Sequence, residues 1–216
     1  MSTFVFDSVK KALTEPEDAF QWKVLHHFCR LLAESNTPIS LDALAAALHS
    51  SRERVKAGLE RNPEIEYDQS GNLLGMGLTL KPTIHQFVLD GHPFYAWCGP
   101  DTLALPVVLK RPARVISTCP VTGARIELTL TPDHLESLSP ETAVVSLDRT
   151  GDMFKRSQEA GCVRQEVCNN QYFFASLEAT APWADAHPDF AIVPVQEAFL
   201  GLREIFLQQM ALAAQA

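Results

Sequence analysis

The residues Trp97-Cys98-Gly99-Pro100-Asp101 place a thiol beside a large aromatic ring, then a turn, then a carboxylate. Gly99 permits a sharp bend, and Pro100 suits the first position of a helix. Cys98 would then sit at a helix N-terminus, where backbone N–H groups and the helix dipole favour a thiolate. That is a physical route to a reactive cysteine with an acid three residues away. The plainer alternative makes Trp97 and Cys98 ordinary core and Asp101 a first-turn helix residue, and spacing alone does not choose between them.

A second cluster, Gly161-Cys162-Val163-Arg164-Gln165-Glu166-Val167-Cys168-Asn169-Asn170, precedes the strand-like Tyr172-Phe173-Phe174. Only tertiary structure can bring Cys168 to Cys98. Arg164, turned inward, would lower the pKa of a neighbouring thiol; turned outward, it is a solvated loop arginine. Neither cluster has zinc-finger spacing, no Cys-x-x-Cys occurs, and the histidines form no ligand pair with the cysteines. His26 and His27 on a helix and His85 in a strand read as solvated or core residues. A Gly-x-Ser-x-Gly elbow, a P-loop and a dinucleotide fingerprint are all missing from the sequence.

The totals narrow the classes. A chain of 216 residues with 46% hydrophobic and 20% charged side chains can bury a core without disulfides or a structural metal. Its five cysteines are an odd number and widely scattered, which fits free thiols in a reducing cytosol. A formal net charge of −8 argues against a large phosphate-binding footprint. The N-terminus lacks the pattern of a signal peptide, and no apolar run approaches the roughly 20 residues of a membrane span. The expectation is a cytoplasmic protein with neither nucleic acid nor membrane as partner.

The elements that must position these residues are legible in outline. Phe20, Val24, Leu25, Phe28, Leu31 and Leu32 recur at helical spacing between Ala19 and Ala33. Ser40 can cap a helix over Leu41 to Leu48, and Ser50 or Ser51 one over Arg52 to Arg61, stopped by Asn62-Pro63. Ile65 to Asp68, a turn over 69–72, and Leu73 to Leu80 read as a hairpin. Three helices and a hairpin make a winged-helix shape, with a boundary at Lys81-Pro82.

Beyond that boundary, strand-like runs cover Ile84 to Leu89, Ala113 to Thr118, Arg125 to Leu130, Ala143 to Leu147 and Gln171 to Ser176. Helices are expected after Pro100, after Pro132, and from Gln196 to about Ala213. The predicted class is therefore α+β: a winged-helix-like three-helix unit with a hairpin wing over residues 1–81, then a mostly antiparallel sheet core with short helices over residues 82–216.

Three ordered motifs resemble one family. Tyr67-Asp68, the run Gly71 to Leu80, Thr83 and His85 look like its wing and following strand. Tyr95-Ala96-Trp97-Cys98 with Asp101-Thr102-Leu103 looks like its first catalytic motif, and Arg164-Gln165, Cys168 and Phe173-Phe174-Ala175-Ser176 like its second. The family is the organomercurial lyases, and the resemblance runs from the first long helix to Glu197-Ala198-Phe199.

The resemblance implies protonolytic cleavage of carbon–mercury bonds in alkyl- and arylmercury compounds to hydrocarbon and Hg(II). Cys98 and Cys168 would be the mercury-binding thiolates and Asp101 the proton-handling carboxylate, itself within the metal-binding set. Cys119 is similar to the family's third recurrent cysteine, read as structural and buried, while Cys29 and Cys162 acquire no role. The family often has a second cysteine after the one matching Cys168; here that position is Asn169. No resident cofactor is implied. Hg(II) would stay as bound product until an external thiol removes it, with low-molecular-weight thiols or mercuric reductase as acceptors.

Soft thiolates suit a soft metal, and a carboxylate in a dry pocket has its pKa raised enough to hold a proton. This chemistry expects a site shielded from water, with Phe94, Tyr95 and Trp97 as walls. Two readings compete. A metal-sensing winged-helix regulator would use Arg52, Arg54 and Lys56 on DNA, against Glu53 and Glu60 of the same helix. A thiol redox enzyme would cycle Cys98 and Cys168 through a disulfide.

Overall fold

The structure, a computed structural model, describes residues 2–15, 19–61, 64–152, 159, 164 and 167–216. The stop expected at Asn62-Pro63, Cys162, and all of the 161–166 cluster except Arg164 lie outside the described residues.

Helices come first. The helix α1 (Ser2–Leu13) buries Val5, Val9, Ala12 and Leu13, one face of a helical period. It is followed by α2 (Ala19–Ser35), α3 (Leu41–Ala47) and α4 (Arg52–Glu60). Ser40 accepts a hydrogen bond from the Ala43 N–H and Ser51 one from the Arg54 N–H, so Ser51 rather than Ser50 caps α4.

The wing follows as β1 (Glu66–Tyr67) and β2 (Leu73–Met76), joined by a turn in which the Asp68 carboxylate accepts from the N–H groups of Ser70 and Asn72. Leu73 to Leu80 is not one strand, as the sequence suggested. Gly77, at φ 76°, reverses the chain, so β3 (Leu78–Thr79) runs antiparallel to β2.

Next come β4 (His85–Leu89), β5 (His92–Ala96), α5 (Gly99–Leu109), β6 (Ala113–Thr118), β7 (Arg125–Leu130), β8 (Leu135–Ser139) and β9 (Val144–Asp148). The last described elements are β10 (Phe173–Phe174), α6 (Ala181–Ala184), β11 (Phe190–Pro194) and α7 (Val195–Ala213). The helix expected after Pro132 is instead β8, whose Leu135 to Ser139 pair antiparallel with Glu127 to Leu130 of β7. Edge pairing overrode a weak helical pattern there.

Among the described residues the strands form two antiparallel sheets. The larger has the order β1-β2-β3-β5-β4-β6-β7-β8, and the smaller β10-β9-β11. Hydrogen bonds therefore run without a break from the wing into the main sheet. In β4, β6 and β7 buried and less buried residues alternate, as on a sheet covered on one face. The helix α5 is apolar all round and almost wholly buried, held between the sheet and α7. Its N-terminus carries Cys98 as the N-cap and Asp101 in the first turn. Among the described residues, no helix is long and apolar enough to cross a membrane.

Candidate active site

Strand β5 delivers Trp97 and Cys98 to the start of α5, where the Trp97 N–H donates to the Gly77 carbonyl at 2.9 Å. Cys98 is the N-cap of α5, with Pro100 in the first turn and Asp101 one residue further on. The Thr102 hydroxyl closes that turn on the Gly99 carbonyl at 2.6 Å. Cys168 opens a single 3-10 turn (Cys168–Asn170) whose end is fixed to α5, because the Gly99 N–H donates to the Gln171 carbonyl at 2.9 Å. One backbone hydrogen bond thus ties the two cysteine-bearing segments together.

The result is a convergence of three ligand atoms. The Sγ atoms of Cys98 and Cys168 and a carboxylate oxygen of Asp101 all lie within 4.8 Å of one another. Both cysteines are buried free thiols, and Asp101 is half-buried. Asp101 Oδ2 is buried with no hydrogen-bond partner. An unpartnered buried carboxylate oxygen is costly, and it is a natural place for a proton or an electrophile to reside.

The electrostatics differ from the first expectation for Cys98. The helix N-terminus was expected to favour its thiolate, yet the thiol lies well above its ordinary range. Burial is the largest cause, followed by the hydrogen bond with Cys168 and the charge of Asp101; the Asp101 N–H pulls the other way and is outweighed. Cys98 therefore rests as a thiol and needs a base. Asp101 is matched to that need: burial raises its pKa to about 6, against opposing contributions from Cys98 and the Arg164 charge. At neutral pH it is ionised yet close enough to balance to take up and return a proton.

The three groups open into a chamber of about 150 Å³. Trp97 lines it, but Phe94 and Tyr95 do not; the other walls include Leu13, Trp22, Leu25, Leu202 and Phe206. Trp97 follows the end of β5, where the chain turns into α5, so it borders the chamber while Phe94 and Tyr95 stay within the strand. The missed walls come from α1, α2 and α7. Their apolar periodicity was readable, but their docking over the site was not.

The remaining candidates fall outside the cluster. Cys119 is buried in its turn. Burial pushes its thiol up, but the Thr122 hydroxyl and the N–H groups of Thr122, Ala175 and Val121 outweigh this and hold it below its ordinary range. Cys29 donates to the Met76 carbonyl and is pushed up to about 12 by burial. His26 is bonded to Gln209 at 2.9 Å and lowered to about 4, and His85 is bonded to Ser117 at 2.8 Å and lowered to about 3, in both cases by burial. Both are satisfied core histidines. His27 is half-buried, its Nδ1 at 2.9 Å from the Lys23 carbonyl.

Residues 78–206 match the family model described as alkylmercury lyase, and residues 6–77 match that of the helix-turn-helix domain of alkylmercury lyase. The chain belongs to the alkylmercury lyase family. An alkylmercury lyase of Staphylococcus epidermidis is 39% identical over 170 residues, covering 79% of this chain and 75% of that protein. One of Pseudomonas putida is 40% identical over 165 residues, covering 75% of this chain and 73% of its own length. A solved structure, the mercury-bound form of MerB2, superposes with a TM-score of 0.73 at 20% identity, over 96% of this chain and 99% of that one. That likeness fixes the shared fold, which joins a helix-turn-helix unit to an antiparallel sheet. Membership of a lyase family makes this chain an enzyme and sets the frame for its three converging groups.

Proposed function

We propose that this lyase cleaves carbon–mercury bonds of alkyl- and arylmercury compounds by protonolysis, with Cys98 and Cys168 as the mercury ligands and Asp101 as the proton carrier. The observation that carries this reading is the convergence of two thiols and one carboxylate within 4.8 Å. Thiolate is the preferred protein ligand for a soft metal, and a carboxylate with a pKa of about 6 suits proton transfer near neutral pH.

The steps balance as follows. One thiol displaces the ligand on the organomercurial and its proton leaves with that ligand. The proton of the second thiol passes to the Asp101 carboxylate as that sulfur joins mercury. Two thiolates raise electron density on the mercury-bound carbon. The carbon–mercury bond then breaks with its electron pair on carbon, and carbon takes the proton from Asp101. Hydrocarbon leaves, and Hg(II) remains between Cys98 and Cys168 until a small thiol or mercuric reductase takes it. No resident cofactor enters the scheme.

The apolar walls suit the organic group, and an apolar cavity of about 150 Å³ is large enough for a benzene ring, which favours arylmercury as well as alkylmercury substrates. The regulator reading loses ground on α4. Arg52 pairs with Asp42, Arg54 stacks on Phe20 at 3.9 Å, and Lys56 pairs with Glu60, so all three cations have partners within the chain.

Product analysis of the purified protein with excess thiol and methylmercury or phenylmercury tests the proposal. The expected result is methane or benzene with stoichiometric Hg(II), lost in Cys98→Ser. Tight binding of the mercurial without hydrocarbon release would overturn it in favour of a sensor or scavenger.

A further inference from the structure

One acidic side chain of the wing has no place in the scheme above, yet it is built into the molecule with care. Glu66, on β1, is buried with 6% of its side chain exposed, and its carboxylate receives both the Arg164 guanidinium and the Thr79 hydroxyl. Space has been left for it. Gly75 stands opposite Glu66 in the β1–β2 register, and a Cβ there would collide with the Glu66 carboxylate and the Thr79 hydroxyl. Arg164 is held a second time, its backbone N–H donating to the neighbouring Glu64 carboxylate. Its guanidinium also lies over the Trp97 ring, 5.0 Å from the centroid.

These contacts link four points. Arg164 lies four residues before Cys168 and Trp97 one residue before Cys98, while Glu64 and Glu66 belong to the N-terminal unit. A buried ion pair is seldom the most stable way to fill its space, because desolvation offsets the Coulombic gain. What it does supply is direction: the planar guanidinium fork can pair with a carboxylate along its edge while stacking on an indole with its face.

We infer that Glu66 is a positioning residue for the lyase site, acting through Arg164 to hold the Cys168 side of the thiol pair against Trp97 and the Cys98 side. The N-terminal unit is then a working part of the active site and not only its cover. This inference rests on the lyase reading for Cys98 and Cys168.

The test uses the full-length chain with Glu66→Gln, Arg164→Met and the double variant. Each is first shown to be folded by its melting transition. Each is then assayed for phenylmercury turnover and for Hg(II) affinity in competition with a small dithiol. Glu66→Gln keeps the size of the side chain and removes its charge. It is expected to lower kcat/KM by about tenfold or more and to weaken Hg(II) binding, since small misplacements at a site are costly. The double variant should be no worse than Arg164→Met alone, because both changes break one tie.

A folded Glu66→Gln with wild-type turnover and Hg(II) affinity would overturn the inference, as would strictly additive losses in the double variant. If Glu66→Gln does not fold, Arg164→Met decides by itself, and full activity there overturns it. A wild-type chain that binds Hg(II) but releases no benzene would sink the lyase reading instead. Hg(II) affinity would still report whether Glu66 positions the thiols.

Discussion

Two of the cavities lined by described residues border Asp101, and each contains a buried cysteine. The larger chamber holds Cys98 with Cys168; the smaller, of about 30 Å³, holds Cys29 beside His26 and Ala104. Cys98 is 3% exposed and Cys29 2%, and burial raises both thiols. The sulfur of Cys29 meets the Met76 carbonyl at 3.8 Å and the Leu78 N–H, whereas that of Cys98 has a second thiol and a carboxylate within 4.8 Å. Burial and helix placement do not make a cysteine reactive. On the proposed mechanism, convergence with a second soft ligand and a proton acceptor does.

That contrast can be broken by removing the thiols in turn. Cys98→Ser and Cys168→Ser should each lower turnover by roughly three orders of magnitude or more, because the ligands act as a unit. Cys29→Ala should keep most of its activity and cost about 1 kcal/mol of stability through the small void it enlarges. Hydrocarbon release under saturating thiol reads the first and denaturant melts the second. An active Cys168→Ser enzyme would break the two-thiolate account.

Asp101→Ala separates binding from chemistry. It should still take up mercurial on the two cysteines while cleavage slows by about a hundredfold or more, the scale of lost proton transfer. Unchanged single-turnover cleavage in this variant would remove Asp101 from the mechanism.

The smallest effect is on stability, and it has a definite sign. Asp101 has a folded-state pKa of about 6, raised by burial from 3.8. Its protonated form is therefore favoured in the folded state, and that contribution is present below about pH 4 and lost as pH rises through 6. Asp101→Asn, which mimics the protonated form, should gain on the wild type between pH 4 and pH 6, levelling at on the order of 3 kcal/mol. Denaturant melts across that range check it; a difference that does not change with pH would mean Asp101 is not desolvated.

Much of this was legible in the residues. Cys98, Asp101 and Cys168 stood out by type and by family resemblance, and Ser40, Pro100 and the turn over 69–72 marked element ends. What was not legible depended on long-range pairing. Leu135 to Ser139 became a strand because β7 offered an edge, and Gly77 turned a supposed single strand into two. The sign of the Cys98 shift was misjudged because helix position is local, while desolvation by Trp22, Leu25 and Phe206 comes from helices remote in sequence. Glu66 gave no signal at all, since a lone acid in a short strand looks like any solvated residue until Arg164 is seen beside it.

On the proposed mechanism, carbon receives a proton from an exchangeable group at the site. A single turnover of methylmercury in D2O, with the headspace gas read by mass spectrometry, tests it most directly. Methane carrying one deuterium per mercury released is the expected product. Undeuterated methane, or ethane from coupled methyl radicals, would contradict it.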